Sequence, residues 1–227
     1  TRVRSSAASD VYKRQTGNRC CMPSHLPPDF AATHFLTEGN LGLDLINSEH
    51  FDYRGRRLPQ DLLEDRAWLS AWVQHWQLPV TPPPDTLALV ALRALRALLR
   101  RMVVDLAAQQ PIPDEQWEEL NAFLALMPVY QQVLRVPGGV RLVNRPLQTG
   151  WMAVVSQVAV SWTDLVSRTA VGRLKVCANP SCQWVFLDQS HNLSRRWCRQ
   201  WACGNLMKVR QFRERRSKVI GQKRGDC

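Results

Sequence analysis

Four of the seven cysteines form two matched pairs within residues 171–227. In the first pair, four residues separate Cys177 from Cys182. The second pair, Cys198 and Cys203, has the same spacing, and fifteen residues lie between the two pairs. Close cysteine pairs at about this separation are typical of a tetrahedral zinc site. Because thiolates would fill every coordination position and leave none for a substrate, the spacing predicts one structural Zn²⁺.

Other interpretations of the cysteines stay open from the spacing alone. The same residues are compatible with four buried thiols or with two redox pairs. His191 lies between the pairs and offers a nitrogen that can replace one thiolate. We interpret Cys20, Cys21 and Cys227 as incidental. The metal site is favoured because four thiols in two matched pairs fall within 27 residues.

A tetrahedral site needs a sharp bend inside each cysteine pair. The first pair encloses residues 178–181 (Ala-Asn-Pro-Ser), whose Asn and Pro favour a turn. Residues 174–176 and 184–186 are predicted strands, which would put this pair on a hairpin knuckle. The second pair opens a predicted helix over residues 204–218. We therefore expect a treble-clef-like finger, to which zinc contributes folding energy because so short a module has little core of its own.

The positive charge of the chain is concentrated at one end. The sequence has 30 Lys and Arg against 19 Asp and Glu, a net charge of +11. Residues 171–227 hold 13 of these bases and 3 of the acids, a net charge of +10, whereas residues 16–170 have a net charge of −2. A concentrated basic segment is typical of proteins that bind polyanions. We therefore expect a nearly neutral body followed by a basic finger that binds nucleic acid.

The basic residues of the finger are candidates for contacts with phosphate groups. We predict that nucleic acid is bound by Arg195, Arg196, Lys208, Arg210, Arg213, Arg215 and Arg216. On the predicted helix, bases cover most of the circumference, which suits a helix lying along phosphates better than one buried in a bundle. Trp197 and Trp201 add aromatic surface that can pack on the zinc core or contact a base. The alternative is that the arginines are only solvated and cover apolar neighbours.

The body of the chain is predicted to be helical. Its strongest pattern, over residues 85–109, has Asp85 as the capping residue and leucines at helical spacing. After a polar stretch over 48–59, Asp61 is expected to cap the next helix. The predicted helices cover residues 34–47, 61–77, 85–109, 114–127 and 149–169, and a β-hairpin covers residues 129–145. The predicted fold is mainly α with a small antiparallel β-hairpin, a helical N-terminal domain preceding the finger.

The N-terminal residues 1–33 show no pattern of a folded element. Residues 1–15 begin without Met and lack an apolar segment, so they do not resemble a signal peptide. We expect a disordered or non-native leader over 1–33 and a tail over 221–227. The longest apolar segment, 87–108, is interrupted by arginines, and residues 151–162 are too few to cross a bilayer. We therefore expect a cytoplasmic protein without a membrane partner, whose cysteines are reduced or metal-bound.

Several short motifs resemble the CGNR zinc finger. They are Val-Cys-Ala-Asn-Pro-Ser-Cys at 176–182, Phe-Leu-Asp at 186–188, Ser-Arg-Arg-Trp-Cys at 194–198, and Cys203-Gly204-Asn205 followed by Lys208. Upstream, residues 43–47 (Leu-Asp-Leu-Ile-Asn), residues 61–63 (Asp-Leu-Leu) and Trp72 are similar to the opening of the ABATE domain. The resemblance implies an ABATE-like helical domain over 34–172, a CGNR-type finger over 173–220, and a bacterial stress-induced transcription regulator.

One position departs from the motif that gives this finger its name. The fourth residue of the family motif is Arg, and this chain has Leu206 there. If that Arg contacts phosphate or braces the finger, one contact is missing in this chain. Lys208 and Arg210 are the neighbouring bases that would compensate for it.

The leading hypothesis for function is a zinc-containing, DNA-binding transcription regulator. Its helical domain would sense a stress signal or a ligand, or would form a homodimer. An RNA-binding module is an alternative, because basic and aromatic surfaces also suit unpaired bases. A zinc-stabilised protein-interaction module without nucleic-acid binding is another. The sequence has no Gly-rich phosphate loop, Ser-His-Asp order or HExxH motif, so we predict that the protein is not an enzyme.

One region of the helical domain is a candidate pocket for a small effector. Asp44, Asn47 and His50 fall close together near the end of the first predicted helix. Trp72 and Trp76 on the next predicted helix are expected to complete the pocket. The alternative is that the three polar residues only cap the helix or face solvent.

Overall fold

Helices make up most of the structure. The computed structural model describes residues 39–170 and 172–225, with side chains described through residue 217. The predicted leader 1–33, the first residues of the predicted helix 34–47 and the end of the predicted tail lie outside the described residues. In chain order the helices are α1 (Leu41–Asn47), α2 (Arg66–His75), α3 (Thr86–Ala107), α4 (Asp114–Ala125), α5 (Trp151–Arg168) and α6 (Asn205–Gly225). The strands pair antiparallel in three hairpins, β1 (Glu49–His50) with β2 (Gln60–Asp61), β3 (Val129–Val136) with β4 (Gly139–Pro146), and β5 (Leu174–Val176) with β6 (Val185–Leu187).

The hydrophobic core lies between α1, α3 and α5. The buried stripe of α3 is the one predicted from its spacing and includes Leu92, Leu95, Leu99 and Met102. Gly42 lets α1 approach α5 closely, because a Cβ at this position would lie 3.1 Å from the Cβ of the fully buried Trp162. These observations confirm the mainly α fold with small antiparallel strand pairs. Among the helices described, none is long and apolar enough to cross a membrane.

Side-chain caps determine where α1 and α3 begin. The Asn40 side chain accepts hydrogen bonds from Gly42 N and Leu43 N, at 2.9 and 3.1 Å. Because Asn40 has an extended backbone, α1 begins at residue 41 and not at the predicted residue 34. Asp85 caps α3 as predicted, accepting a hydrogen bond from Ala88 N at 2.8 Å. The helices predicted at 85–109, 114–127 and 149–169 are confirmed, each within two residues at its ends.

The helix predicted over residues 61–77 consists of two separate elements. Residues Leu62–Glu64 form one 3₁₀ turn, which the Asp61 side chain caps. Asp65 has an extended backbone and caps α2, which begins at the next residue. A continuous helix is excluded because Asp61 pairs with Glu49 in the β1–β2 hairpin and Asp65 interrupts the helical backbone. The prediction of a single helix was wrong for this reason.

The β3–β4 hairpin is the longest strand pair in the described residues. Its ladder runs from Val129 opposite Pro146 to Val136 opposite Gly139, which confirms the hairpin predicted over 129–145. Gly138 in the turn has a φ of +86°, a value that a residue without a Cβ adopts at little cost. The strand residues on both faces are exposed or half-buried.

The C-terminal finger packs directly against the helical domain. Its β5–β6 hairpin contributes Leu174 and Val185, both buried, to the same core as α1 and α3. Strand β6 begins at Val185, one residue later than predicted. Helix α6 follows a π-helical turn over Gln200–Gly204 and continues to residue 225, beyond the predicted end at 218.

Candidate metal centre and nucleic-acid interface

The structure brings the four paired cysteines together in one buried cluster. Their Sγ atoms all lie within 4.8 Å of one another. The Sγ of Cys198 is 3.6 Å from that of Cys182 and 3.8 Å from that of Cys203. A tetrahedral ion with Zn–S bonds of about 2.3 Å needs sulfur–sulfur distances of about 3.8 Å. The four thiols therefore fit one Zn²⁺.

Backbone groups around the cysteines hold this arrangement. Strand β5 runs into the knuckle, where Cys177 N donates to Trp184 O at 2.8 Å and Cys182 N donates to Asn179 O at 2.9 Å. These bonds close the turn that the Asn-Pro sequence predicts. Cys198 N points at the Sγ of Cys177, 3.5 Å away. Such N–H groups orient thiolates and stabilise their charge, as outer-shell partners of metal ligands do.

The four clustered thiols shift one another's pKa values in opposite directions. Hydrogen bonding from Cys182, together with the other two thiols, holds the pKa of Cys177 below its usual range. Hydrogen bonds with Cys177 in turn raise the pKa of Cys182 and that of Cys198. A divalent cation removes this conflict because it stabilises all four thiolates together. His191, the alternative ligand, lies outside the cluster, exposed and hydrogen-bonded to Asn192.

A buried carboxylate that the sequence reasoning missed braces the segment before the second cysteine pair. Asp188 is fully buried and accepts hydrogen bonds from Lys175 Nζ at 2.7 Å, Ser190 Oγ at 2.6 Å and Arg195 N at 3.0 Å. Burial opposes ionisation of this carboxyl, but the hydrogen bonds outweigh it and lower the pKa of Asp188. The sequence did point to this residue, because Asp188 ends the Phe-Leu-Asp motif at 186–188, one of the motifs that resemble the CGNR zinc finger. Its role as a brace is evident only from these hydrogen bonds.

Arg195, one of the residues predicted to bind nucleic acid, is exposed as a whole, but its guanidinium packs against the finger. Its guanidinium carbon lies 4.4 Å from the centre of the Phe186 ring. Its Nε donates to Trp197 O at 3.0 Å, and its Nη2 donates to Cys198 O. These contacts hold the backbone at the second cysteine pair. Arg195 therefore braces the finger through Nε and Nη2, although the residue as a whole is exposed.

The other predicted nucleic-acid residues lie mostly on the surface. The exposed members are Arg196, Lys208, Arg213, Arg215 and Arg216. Arg196 lies over the Trp197 ring at 5.3 Å, so one of its faces is covered by this aromatic side chain. Arg210 is half-buried and donates through Nη2 to Arg54 O at 2.9 Å. Trp201 is 57% exposed, with the Arg199 guanidinium 5.6 Å from its ring.

A basic groove lies between α6 and the loop that joins β1 to β2. Its volume is about 620 Å³. Four arginines line it, namely Arg54 and Arg56 from the loop and Arg210 and Arg213 from α6. Leu206, the departure from the family motif, lies in the same lining. The sequence reasoning missed the two loop arginines because the polar stretch 48–59 has no periodicity that would direct attention to them.

The five residues predicted to form an effector pocket are involved in structural contacts. Asp44 is buried and accepts a hydrogen bond from Trp76 Nε1 at 2.7 Å. Trp72 is fully buried and stacks on Trp68, with the ring centres 5.4 Å apart. His50 meets the Trp184 ring edge-on at 6.3 Å, and burial lowers its pKa. None of the five lines the basic groove.

Buried polar contacts tie the finger to the helical domain. Asn47, the remaining residue of that set, exchanges two hydrogen bonds with the backbone of Val185. Asn179 in the knuckle donates to Tyr53 O at 2.7 Å. Arg100 on α3 donates to Ile46 O at 2.8 Å and to Gln183 O at 3.1 Å. The zinc knuckle, α1, α3 and the groove loop are thus joined across one seam.

Comparison with known families agrees with this arrangement. Residues 39–168 match the family model ABATE, described as "Putative stress-induced transcription regulator". Residues 173–216 match the family model zf-CGNR, described as "CGNR zinc finger", and this range contains all four clustered cysteines. Both matches confirm the resemblance read from the motifs, and neither family is described as an enzyme family. No curated protein matches the chain.

Proposed function

Because the chain belongs to the ABATE family and carries a CGNR zinc finger, we propose that it is a transcription regulator whose finger binds DNA. The observation that carries this proposal is the exposed basic surface next to the zinc cluster. Lys208, Arg213, Arg215 and Arg216 project from one helix that begins beside Cys203. A structural zinc fixes the base of that helix, so its charges keep their relative positions when they meet phosphates.

The proposal is tested with the purified, zinc-loaded full chain. Duplex DNA that it retains is selected from a random pool, and the affinity of the selected duplex is measured from about 50 to 200 mM salt. Binding through phosphates is expected to weaken along a log–log line with a slope near −0.9 per phosphate neutralised. A parallel sample treated with a chelator is expected to lose binding. Absence of duplex binding at low salt would refute the proposal.

RNA binding is the second candidate. It is favoured by the exposed ring of Trp201 beside Arg199, because aromatic rings stack on unpaired bases. Competition between duplex DNA and single-stranded RNA at one salt concentration separates the two candidates. If RNA displaces the duplex at equal concentration, RNA is the preferred partner.

A zinc-stabilised interaction module without nucleic-acid affinity is the third candidate. The polar contacts between the knuckle and the helical domain support it, because zinc then holds the two parts together. It predicts full zinc occupancy and no binding in either nucleic-acid assay. The predicted division into a helical domain over 34–172 and a finger over 173–220 stays a proposal under all three candidates.

Responsiveness to stress or to a ligand is proposed for the helical domain. It is supported by the position of Asn47 and His50 at the seam with the finger, where a change would alter how the finger is held. The proposed homodimer is supported by the β3–β4 hairpin, since an isolated two-stranded ribbon is only marginally stable in water. Val133 and Leu142, paired across this hairpin, are both exposed. A bacterial regulator of transcription would act in the cytoplasm, where thiols stay reduced for zinc.

A further inference from the structure

Two arginines of the helical domain, Arg54 and Arg56, line the basic groove together with residues of the finger helix. We propose that the basic groove seats the phosphodiester backbone of DNA, with Arg54 and Arg56 of the β1–β2 loop acting together with Arg210 and Arg213 of α6. This inference rests on the proposed function and extends it, because it assigns DNA contacts to the helical domain as well as to the finger. The bound surface then spans both domains.

The composition of the groove favours a phosphate ester. No Asp or Glu belongs to its lining. Within the part of the chain that the structure describes, no carboxylate forms an ion pair with any of the four arginines. Guanidinium groups bind phosphate through two parallel hydrogen bonds, and a cluster of them repels itself until an anion arrives. The lining thus brings four like charges together without a carboxylate. Asp52 of the same loop lies outside the lining and attracts Arg54, which offsets part of this charge and leaves the groove net positive.

The loop is held in shape before any ligand binds. The Asp52 carboxylate accepts hydrogen bonds from Arg54 N at 3.0 Å and from Arg56 N at 2.9 Å. Gly55 between them has a φ of +69°, and a Cβ there would lie 2.9 Å from the Oγ of Ser181 in the knuckle. The loop therefore packs against the zinc knuckle through a residue that has no side chain. Ordering by zinc and by Asp52 reduces the entropy lost when the arginines bind an anion.

The finger side of the groove is joined to the loop at one point. Arg210 Nη2 donates to the backbone oxygen of Arg54 at 2.9 Å, which fixes α6 and the loop at the width of the groove. Arg213 lies less than one turn further along α6 and is exposed. Arg213 thus belongs both to the groove and to the surface that continues to Arg216. This continuity favours a polymer backbone, which runs out of the groove along α6, over a small phosphorylated molecule enclosed within it.

Single substitutions test the groove in the zinc-loaded full chain. Arg56→Ala is chosen because no hydrogen bond or ion pair of its side chain is found among the described residues. It is expected to weaken duplex binding about three- to tenfold at 0.1 M salt and to reduce the salt slope by about 0.9. Leu206→Arg adds a charge to the groove and is expected to tighten binding and to increase the slope by a similar amount. Arg141→Ala, on the exposed β3–β4 hairpin, is the matched control for charge and should change neither quantity.

A fourth variant and a competition experiment distinguish failure of the groove proposal from failure of the proposed function. Lys208→Ala lies on the exposed finger helix outside the groove lining and tests the proposed function alone. If Lys208→Ala lowers the slope while Arg56→Ala behaves like the Arg141→Ala control, the groove proposal is overturned and the finger still binds DNA. If the wild-type chain binds no duplex, both proposals fail together. Competition by ATP tests a small phosphate ester: displacement of the duplex at micromolar ATP would identify a nucleotide site and overturn the proposal. Zinc content is measured for each variant to establish that the finger is folded.

Discussion

Asn47 and Val185 join the two parts of the molecule through a pair of hydrogen bonds, although 138 positions separate them in the chain. Asn47 Nδ2 donates to Val185 O at 2.9 Å, and Val185 N donates to Asn47 Oδ1 at 2.9 Å. Both residues are buried. One amide side chain on α1 therefore satisfies both backbone groups at the start of strand β6.

Asn47→Ala is expected to lower the free energy of unfolding by about 3 kcal/mol, because it leaves a buried N–H and a buried C=O without partners. The measurement is urea unfolding of the zinc-loaded chain. Asn144→Ala, on the exposed β4 strand, is the control and should change stability by no more than about 0.5 kcal/mol. Equal stability of the two variants would show that water replaces Asn47 at the seam.

Loss of one cysteine should remove the metal. Cys182→Ser is expected to reduce bound zinc from one ion per chain to well below half, because the alcohol is a poor ligand and the site needs four thiolates. The measurement is elemental analysis after dialysis against a weak chelator. His191→Ala is the control and should keep one zinc per chain, since this residue lies outside the cluster. Full zinc in Cys182→Ser would remove that residue from the ligand set.

The pKa of Asp61 predicts an acid-sensitive contribution to stability. Burial opposes its ionisation, but hydrogen bonds from Arg96 and Arg93 outweigh this and hold the pKa below 3.8 in the folded state. The carboxylate therefore stabilises the fold at pH values above 3.8, and this contribution is lost as the pH falls through the lower folded-state pKa. Asp61→Asn is expected to cost about 2 kcal/mol at pH 7, where Arg96 loses a buried ion pair.

Measurement of unfolding for both proteins from pH 7 to pH 3 checks the sign. The difference between wild type and Asp61→Asn should shrink toward acid pH. Loss of zinc at low pH affects both proteins alike, so it cancels in the difference. A difference that stays constant or grows toward acid pH contradicts the assignment.

Substitutions of Arg195 and Lys208 are expected to distinguish a residue that stabilises the finger from a residue that binds DNA. Arg195→Ala removes hydrogen bonds to the backbone of the second cysteine pair, so it is expected to speed zinc release to a chelator. Lys208→Ala removes an exposed charge and should reduce the salt slope of DNA binding by about 0.9 with zinc release unchanged. The two assays are run on both variants. If Arg195→Ala changes only the salt slope, the residue contacts DNA and its contacts within the finger are unimportant.

The parts of the molecule that the sequence predicted depend on neighbours in the chain. The spacing of Cys177, Cys182, Cys198 and Cys203 expresses a local geometric requirement, and helix α3 has its cap and its leucine stripe within one segment. Asp61 was recognised as a cap, but its second role depends on Arg93 and Arg96, 32 and 35 positions away. Helical periodicity cannot predict this ion pairing, because it describes only residues that are close in the sequence.

The groove escaped prediction for the same physical reason. Arg54 and Arg56 form a groove only because the knuckle at Ser181 and the helix at Arg210 pack beside their loop. Asn47 was noticed for its polarity and interpreted as part of a pocket, because its partner is a backbone group that no sequence pattern marks. Contacts between distant segments thus account for most of what the sequence left out.

The seam also limits how this protein can be cut or recombined. Leu174 and Val185 of the finger lie in the core of the helical domain, while Tyr53 of the helical domain packs against the cysteine cluster. Separation of the chain in the short connection after α5 would therefore expose hydrophobic surface on both fragments. A finger transferred to another protein of the family would need matching side chains on α1 and on the loop that follows α1. The two family ranges are separate in the sequence, but in space they share one hydrophobic core.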